Sequence, residues 1–245
     1  MQSEILTQAW RTVVPERGAR FGPLPPLMLL LTVVTGFVDA YSYLVLGHVF
    51  VANMTGNVVF SGFAVAGAPG FSLAASLASL AAFALGAFVG GRVARAYGTH
   101  RGRHLSTAVI IETTMLLAAY LVAQLGPSPE KTADIRYLLI ALLGIGMGVQ
   151  NAAARALAVP DLTTTVLTLT ITGASADSKP AGGPGGKSGR RLLSVAAMFV
   201  GGLIGALAVL HGHASLSLLA AVILLTAITS ATWRLRTSTA PWTRP

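Results

Sequence analysis

The chain contains no cysteine. Disulfides, thiolate catalysis and cysteine-based metal sites are therefore excluded. Charge is also scarce, at 10% of residues, against about 25% in soluble domains. Acidic residues number only 8, against 17 Lys and Arg, and no paired-carboxylate site, Ser/His/Asp set or HExxH motif appears within the apolar segments. No catalytic residue and no cofactor is implied, and the chain reads as a non-enzyme. Aromatics make up 7%, too few to interleave with basic residues as a base-stacking surface, so the net charge of +9 does not point to nucleic acid. What is abundant is apolar: 53% hydrophobic residues and a mean hydropathy of +0.70 describe a polytopic helical membrane protein with the lipid bilayer as its first partner.

Six segments are long and apolar enough to span: 25–47, 71–95, 105–125, 136–158, 191–210 and 213–233, each near the ~20 residues a bilayer core requires. Pro23, Pro25 and Pro26 stand where the first span begins, and Phe21, Tyr97, Tyr137 and Trp233 stand near span ends, as helix starts and interfacial anchors do. The first 20 residues hold Glu4 and Glu16 and lack a continuous apolar core, unlike a cleaved signal peptide. Residues 1–24 read as a cytoplasmic tail; the alternative is a short interfacial helix carrying Ile5, Leu6, Trp10, Val13 and Val14.

Arg11, Arg17 and Arg20 precede the first span. Arg92, Arg95, Arg101 and Arg103 lie between the second and third, Lys179, Lys187, Arg190 and Arg191 before the fifth, and Arg234 and Arg236 after the sixth. The positive-inside rule then puts both termini in the cytoplasm of an inner-membrane protein. The expected organisation is a first repeat over 25–125, an external connector over 126–135, a second repeat over 136–235 with a flexible cytoplasmic linker at 174–190, and a tail over 236–245. Within that linker Ala181–Ser188 approaches a phosphate-binding loop. It lacks the first glycine and the surrounding strand–helix unit, so it reads as a chance match.

The chain repeats itself. Gly36-Phe-Val-Asp39-Ala40 returns as Gly148-Val-Gln150-Asn151-Ala152, and Phe88-Val-Gly90-Gly91 returns as Phe199-Val-Gly201-Gly202. Three spans per copy is an odd number, so the second copy is expected to be inverted, a common plan for transporters. Two further stretches, 48–67 and 160–173, occupy equivalent places and carry polar residues mid-segment. Both are read as broken, re-entrant elements after the first and fourth spans, since irregular backbone at membrane depth survives only inside protein or beside a water-filled cavity.

Asp39, near the middle of the first span, is the most expensive residue to bury and so the first candidate for an ion or substrate path. Asn151, beside Gln150, is its neutral counterpart. Asn53, Thr55 and Asn57 in the first broken element, with Thr55 aligned to Thr168, stand opposite Thr165 and Thr168 in the second. Hydroxyls, amides and freed carbonyls at a helix break can replace a solute's hydration shell. Glu112 in the third span can pair with Arg155 or His48, or reach the interface. Gly86, Gly90, Gly91, Gly201, Gly202 and Gly205 form small-residue faces for helix packing, within the chain or across a homo-oligomer. His211 and His213 in a short turn are too few for a metal site.

The Gly36–Asp39–Ala40 set, the Ala52-Asn53-Met54-Thr55-Gly56-Asn57 stretch, Gly148-Val149-Gln150-Asn151-Ala152 and the threonine-rich Thr164–Thr168 run resemble the YoaK family. That resemblance covers about 25–235 and implies a six-span bacterial inner-membrane protein; it brings no substrate, cofactor or reaction. The expected fold is all-α, with six transmembrane helices as a 3+3 inverted repeat. The expected function is a small secondary transporter or permease for a small solute or ion, the alternative being a non-transporting assembly or regulatory partner that works through its glycine faces and basic linker.

Overall fold

A computed structural model describes residues 2–16, 18–129, 131–165, 167–178, 181–183 and 188–244, with the side chains of residues 2–4 excepted. Arg17, Val166, Lys179, Lys187 and half of the phosphate-loop-like stretch lie outside the described residues. Nine α-helices and no strand are described: α1 (Gln2–Val13), α2 (Leu24–Val45), α3 (Met54–Val65), α4 (Leu73–Tyr97), α5 (Arg101–Leu125), α6 (Ala133–Leu157), α7 (Leu167–Ala176), α8 (Ser188–Leu210) and α9 (Ala214–Leu235). Six of them, α2, α4, α5, α6, α8 and α9, are long and apolar enough to cross a membrane.

The spans begin and end for local reasons. Pro25 and Pro26 fall in the first turn of α2, where their missing N–H groups cost nothing. Ser72 caps α4 by accepting from the Ala75 N–H at 3.2 Å, and His100 caps α5 by accepting from the Arg103 N–H at 3.2 Å, each satisfying one orphan donor. Large apolar side chains face outward on the spans, among them Phe88, Leu125, Phe199, Leu210 and Ile223, as a lipid environment permits and water does not.

Glycines set the closest approaches. A Cβ on Gly36 would stand 2.7 Å from the Met198 oxygen and 2.6 Å from the Gly202 nitrogen; one on Gly148 would stand 2.2 Å from the Phe83 oxygen and 2.7 Å from the Ala87 nitrogen. Gly201 meets Val33 and Gly36, and Gly205 meets Phe37 and Ala40; likewise Gly86 meets Ile145, and Gly90 meets Val149 and Ala152. Thus α2 packs parallel to α8, and α4 packs parallel to α6, through matching backbone contacts. The third members of each half, α5 and α9, run antiparallel, with Thr113 and Thr229 sharing a 3.0 Å hydrogen bond between their hydroxyls and Gly102 against the Leu235 carbonyl.

The literal repeat of Phe-Val-Gly-Gly is one helical turn out of step with this packing. Gly86 and Gly90 do what Gly201 and Gly205 do, whereas an added Cβ on Gly91 or Gly202 would meet nothing within 4 Å. Gly91 therefore drops out of the expected packing set, and Gly202 borders Gly36 by its backbone nitrogen without needing to be glycine itself. The four that pack use GxxxG spacing, which stacks them on one helix face one turn apart.

Each of the two short helices has its flanking segments drawn together at one end of the bundle. His48, just past α2, lies 2.9 Å by its Nδ1 from the Gly70 carbonyl just before α4, so α3 leaves and returns at one end. At the other end Arg191, at the start of α8, reaches Asp161 and Asp177, each at 2.8 Å, on either side of α7. That second end is rich in arginine: Arg101 donates to the carbonyls of Arg20 and Trp242, and Arg103 donates to that of Arg236.

The N-terminal segment departs from the expected tail. Residues 2–13 form α1, and its Ile5–Ala9 backbone lies against Gly189 of α8, with Gln8 accepting from the Gly189 N–H at 3.3 Å. Leu6, Trp10 and Val13 stay exposed on the flank beside this packed face, at the 3–4 residue spacing of an amphipathic helix.

Candidate functional site

The site is built where the two irregular segments fold back into the bundle. After α2, residues 46–53 turn inward until the backbone N–H groups of Val51 and Ala52 reach the Asp39 carboxylate, at 3.3 and 3.0 Å. The Asn53 side-chain amide donates to the other oxygen of the same carboxylate. Asp39 is only 6% exposed, so these three donors stand in for the water it has lost. α3 then starts at Met54.

The second half repeats the device with neutral groups. The Thr165 hydroxyl donates to Asn151 Oδ1 at 2.5 Å, while the Asn151 amide donates back to the Met147 carbonyl at 2.9 Å. Asp39 to Asn53 and Asn151 to Thr165 are each 14 residues apart. Asn53 therefore corresponds to Thr165, and the expected alignment of Thr55 with Thr168 shifts by one residue. α7 starts at Leu167, and its approach is the more contorted: Ala158, Asp161 and Thr164 all take positive φ, a region costly for non-glycine residues and most of all for β-branched threonine.

Between the two segments lies a cavity of about 360 Å³ lined by Ala52, Asn53, Met54, Thr55, Phe83, Asn151, Thr165, Leu167, Thr168 and Met198. Each half supplies amide and hydroxyl groups, the first residue of a short helix, and one apolar wall. The walls correspond too, since Phe83 and Met198 hold the same station against Gly148 and Gly36. A second cavity, of about 740 Å³, shares Phe83, Asn151 and Thr165 with the first and runs along α4 and α6 past Gly91, Ala94 and Arg155 toward the arginine-rich end.

Five of the expected residues, Asn53, Thr55, Asn151, Thr165 and Thr168, thus meet in one cavity, with Asp39 one hydrogen bond behind Asn53. Three do not. Asn57 clamps the re-entrant backbone instead, accepting from the Phe50 N–H at 2.9 Å and donating to the Phe50 carbonyl at 2.5 Å, beside Ser79. Gln150 ties α6 to α2 by donating to the Thr35 hydroxyl at 2.9 Å. Glu112 is fully buried on α5 near Gly146, and neither of its carboxylate oxygens has a hydrogen-bond partner among the described residues; it neither reaches the interface nor pairs with Arg155 or His48.

The sequence reading missed Phe83 and Met198, which look like any apolar residues on a packed helix face. It also missed the anchors of the two re-entrant elements. At one end Tyr43, Phe50, Phe60, Phe63 and Phe71 form a chain of ring contacts with centroids 4.9 to 5.8 Å apart. At the other, buried Arg191 bridges Asp161 and Asp177 and crosses Gly173, where a Cβ would stand 2.7 Å from the guanidinium carbon. Asp161 and Arg191 are 30 residues apart, with no linear signal joining them. No cluster of three or more metal-ligating side chains is present among the described residues.

Residues 27–230 match the family described as "Protein of unknown function (DUF1275)". The "UPF0700 transmembrane protein YoaK" of Bacillus subtilis (strain 168) is 35% identical over 146 residues, which cover 59% of this chain and 63% of that relative. The chain thus aligns with less than two thirds of that relative's length. No solved structure matches.

Proposed function

The chain belongs to the DUF1275 family of YoaK-like membrane proteins, and on that premise we propose that it is a small secondary transporter or permease whose solute passes through the central cavity. The observation that carries this reading is the ring of matched groups, Asn53 and Thr55 from one half and Asn151, Thr165 and Thr168 from the other, around a cavity that shares Phe83, Asn151 and Thr165 with a second one toward the arginine-rich end. A site at the junction of two related halves, formed by interrupted helices, is the arrangement that lets one half open while the other closes. The solute crosses unchanged, with no chemical step.

In this reading the halves are two copies of opposite orientation. Exchanging α2, α3, α4 and α5 with α6, α7, α8 and α9 preserves the principal helix packings, since α2 with α8 becomes α6 with α4, and α5 with α9 maps onto itself. The Thr113–Thr229 hydrogen bond then lies on the axis relating them. The arginine-rich end faces the cytoplasm by the positive-inside rule, which places both termini there and the protein in the inner membrane. The cavity is accordingly open toward the cytoplasm, and the aromatic cluster around Phe60 closes the outer side. Asp39 is the proton- or ion-responsive group.

The alternative of a non-transporting partner protein loses one of its two surfaces, because Gly86, Gly90, Gly201 and Gly205 are spent on packing inside the chain. The absence of cysteine makes the test direct: T55C and T168C are each probed with an impermeant thiol reagent from either side. Labelling of both that shifts in opposite senses on the two faces as conditions change supports a transport path. Labelling of neither from either side makes the cavity dry packing and ends the proposal.

A further inference from the structure

The lining of the central cavity is half polar and half apolar. The polar half consists of Asn53, Thr55, Asn151, Thr165 and Thr168, and no Asp, Glu, Lys, Arg or His lines it among the described residues. Amides and hydroxyls both donate and accept hydrogen bonds, so the set matches a partner that does the same. Thr55 and Thr168, one from each half, are the exposed side chains of this group. The apolar half, which includes Phe83 and Met198, gives a carbon skeleton a surface to lie on.

An ion fares worse here. A charge leaving water without a counter-charge loses several kcal/mol that fixed dipoles only partly return. An anion gains the partial positive charge at the starts of the two short helices but meets no Lys, Arg or His in the lining, and the carboxyl group nearest the cavity, Asp39, one hydrogen bond behind Asn53, opposes it. Cations meet the starts of both short helices, since Met54 and Leu167 line the cavity, and helix N-termini carry partial positive charge. The first full charge along the route, Arg155, belongs to the second cavity. The volume of about 360 Å³ equals about a dozen water volumes at ~30 Å³ each, room for a solute of a few heavy atoms with residual water.

Resting on the transport reading, we propose that the cargo is a small uncharged polar solute bearing both hydrogen-bond donors and acceptors, of the chemical class of polyols and primary amides. The full chain in proteoliposomes is assayed by stopped-flow light scattering with glycerol, urea and acetamide, and by fluorescent reporters for potassium, chloride and acetate. The expected result is equilibration of at least one neutral solute tenfold or more faster than in empty liposomes, with the three ions at the empty-liposome rate. The paired variant T55V/T168V, isosteric and outside the packed core, brings the neutral flux back toward background.

Ion flux above background without neutral flux overturns the substrate class while leaving the transport reading intact. Background flux of all six probes also overturns the substrate class. If T55C and T168C then still label from alternating sides, the transport reading stands; if they do not, both fall. Neutral flux untouched in T55V/T168V overturns the assignment of the cavity as its route.

Discussion

Adjacent glycines in this chain are predicted to respond oppositely to the same one-carbon addition. A Cβ on Gly86 would stand 2.1 Å from the Ile145 carbonyl oxygen, and one on Gly201 would stand 2.2 Å from that of Val33, against ordinary contact at 3.4–4 Å. The obstacle is backbone, so α4 and α6, or α2 and α8, must part by roughly 1 Å, and overpacking of this kind costs about 1–3 kcal/mol. At Gly91 and Gly202 nothing lies within 4 Å, and alanine in a helix interior gains about 0.5–1 kcal/mol over glycine. The neighbours Gly201 and Gly202 should therefore differ by roughly 2–4 kcal/mol when each is changed to alanine. SDS titration of the purified protein in mixed micelles measures this: G86A and G201A should shift the unfolding midpoint down, and G91A and G202A should leave it unchanged or raise it. Equal behaviour of G201A and G202A would refute the packing register described above.

Three further outcomes are expected. R191Q removes the charge that bridges Asp161 and Asp177, and breaking a buried pair costs about 3–5 kcal/mol, which the half exposure of Asp177 brings toward the lower figure; hydrogen exchange should rise over 158–176 and not over 46–65, and uniform change across both would contradict the local anchor. D39N should keep stability within about 1 kcal/mol, because Asn151 already fills the matched place, yet abolish pH-coupled uptake, whereas D39L strands the Val51 and Ala52 N–H groups at about 1–3 kcal/mol each; wild-type coupling in D39N removes Asp39 from the mechanism. With Trp233 and Trp242 changed to Phe, Trp10 fluorescence should be quenched by lipids brominated near the headgroup, because its stripe with Leu6 and Val13 is exposed as on an interfacial helix; unquenched emission would place that face in water.

The six spans were legible because bilayer thickness makes hydropathy a length measurement: the expected 136–158 and 213–233 became Ala133–Leu157 and Ala214–Leu235. The two short helices, Met54–Val65 and Leu167–Ala176, were legible as interrupted elements because Asn53, Thr55 and Thr165 break apolar runs at matched places. What escaped were the features set by three-dimensional register. Phe88-Val-Gly-Gly and Phe199-Val-Gly-Gly match as strings, but helix packing follows spacing on a face, which selects Gly86 with Gly90 and Gly201 with Gly205. Asn57, Gln150 and Glu112 were grouped with the site by polarity and membrane depth alone, and polarity does not say which neighbour a helix turns toward. α1 was legible only as the alternative to a tail, because its apolar residues form one stripe of a short segment and its contact with Gly189 of α8 leaves no trace in the sequence.

The central claim is that α3 and α7 enter and leave the membrane on the side from which they come, so that the two halves face opposite ways. Single cysteines at Pro69, Ser128, Thr99 and Ala176, probed with an impermeant thiol reagent on intact and permeabilised cells, test it most directly. P69C and S128C should label on intact cells, and T99C and A176C only after permeabilisation. With A19C added to mark the face on which α2 begins, labelling of P69C on the same face as A19C would make residues 48–67 a full span and contradict the architecture on which the cavity and its proposed function rest.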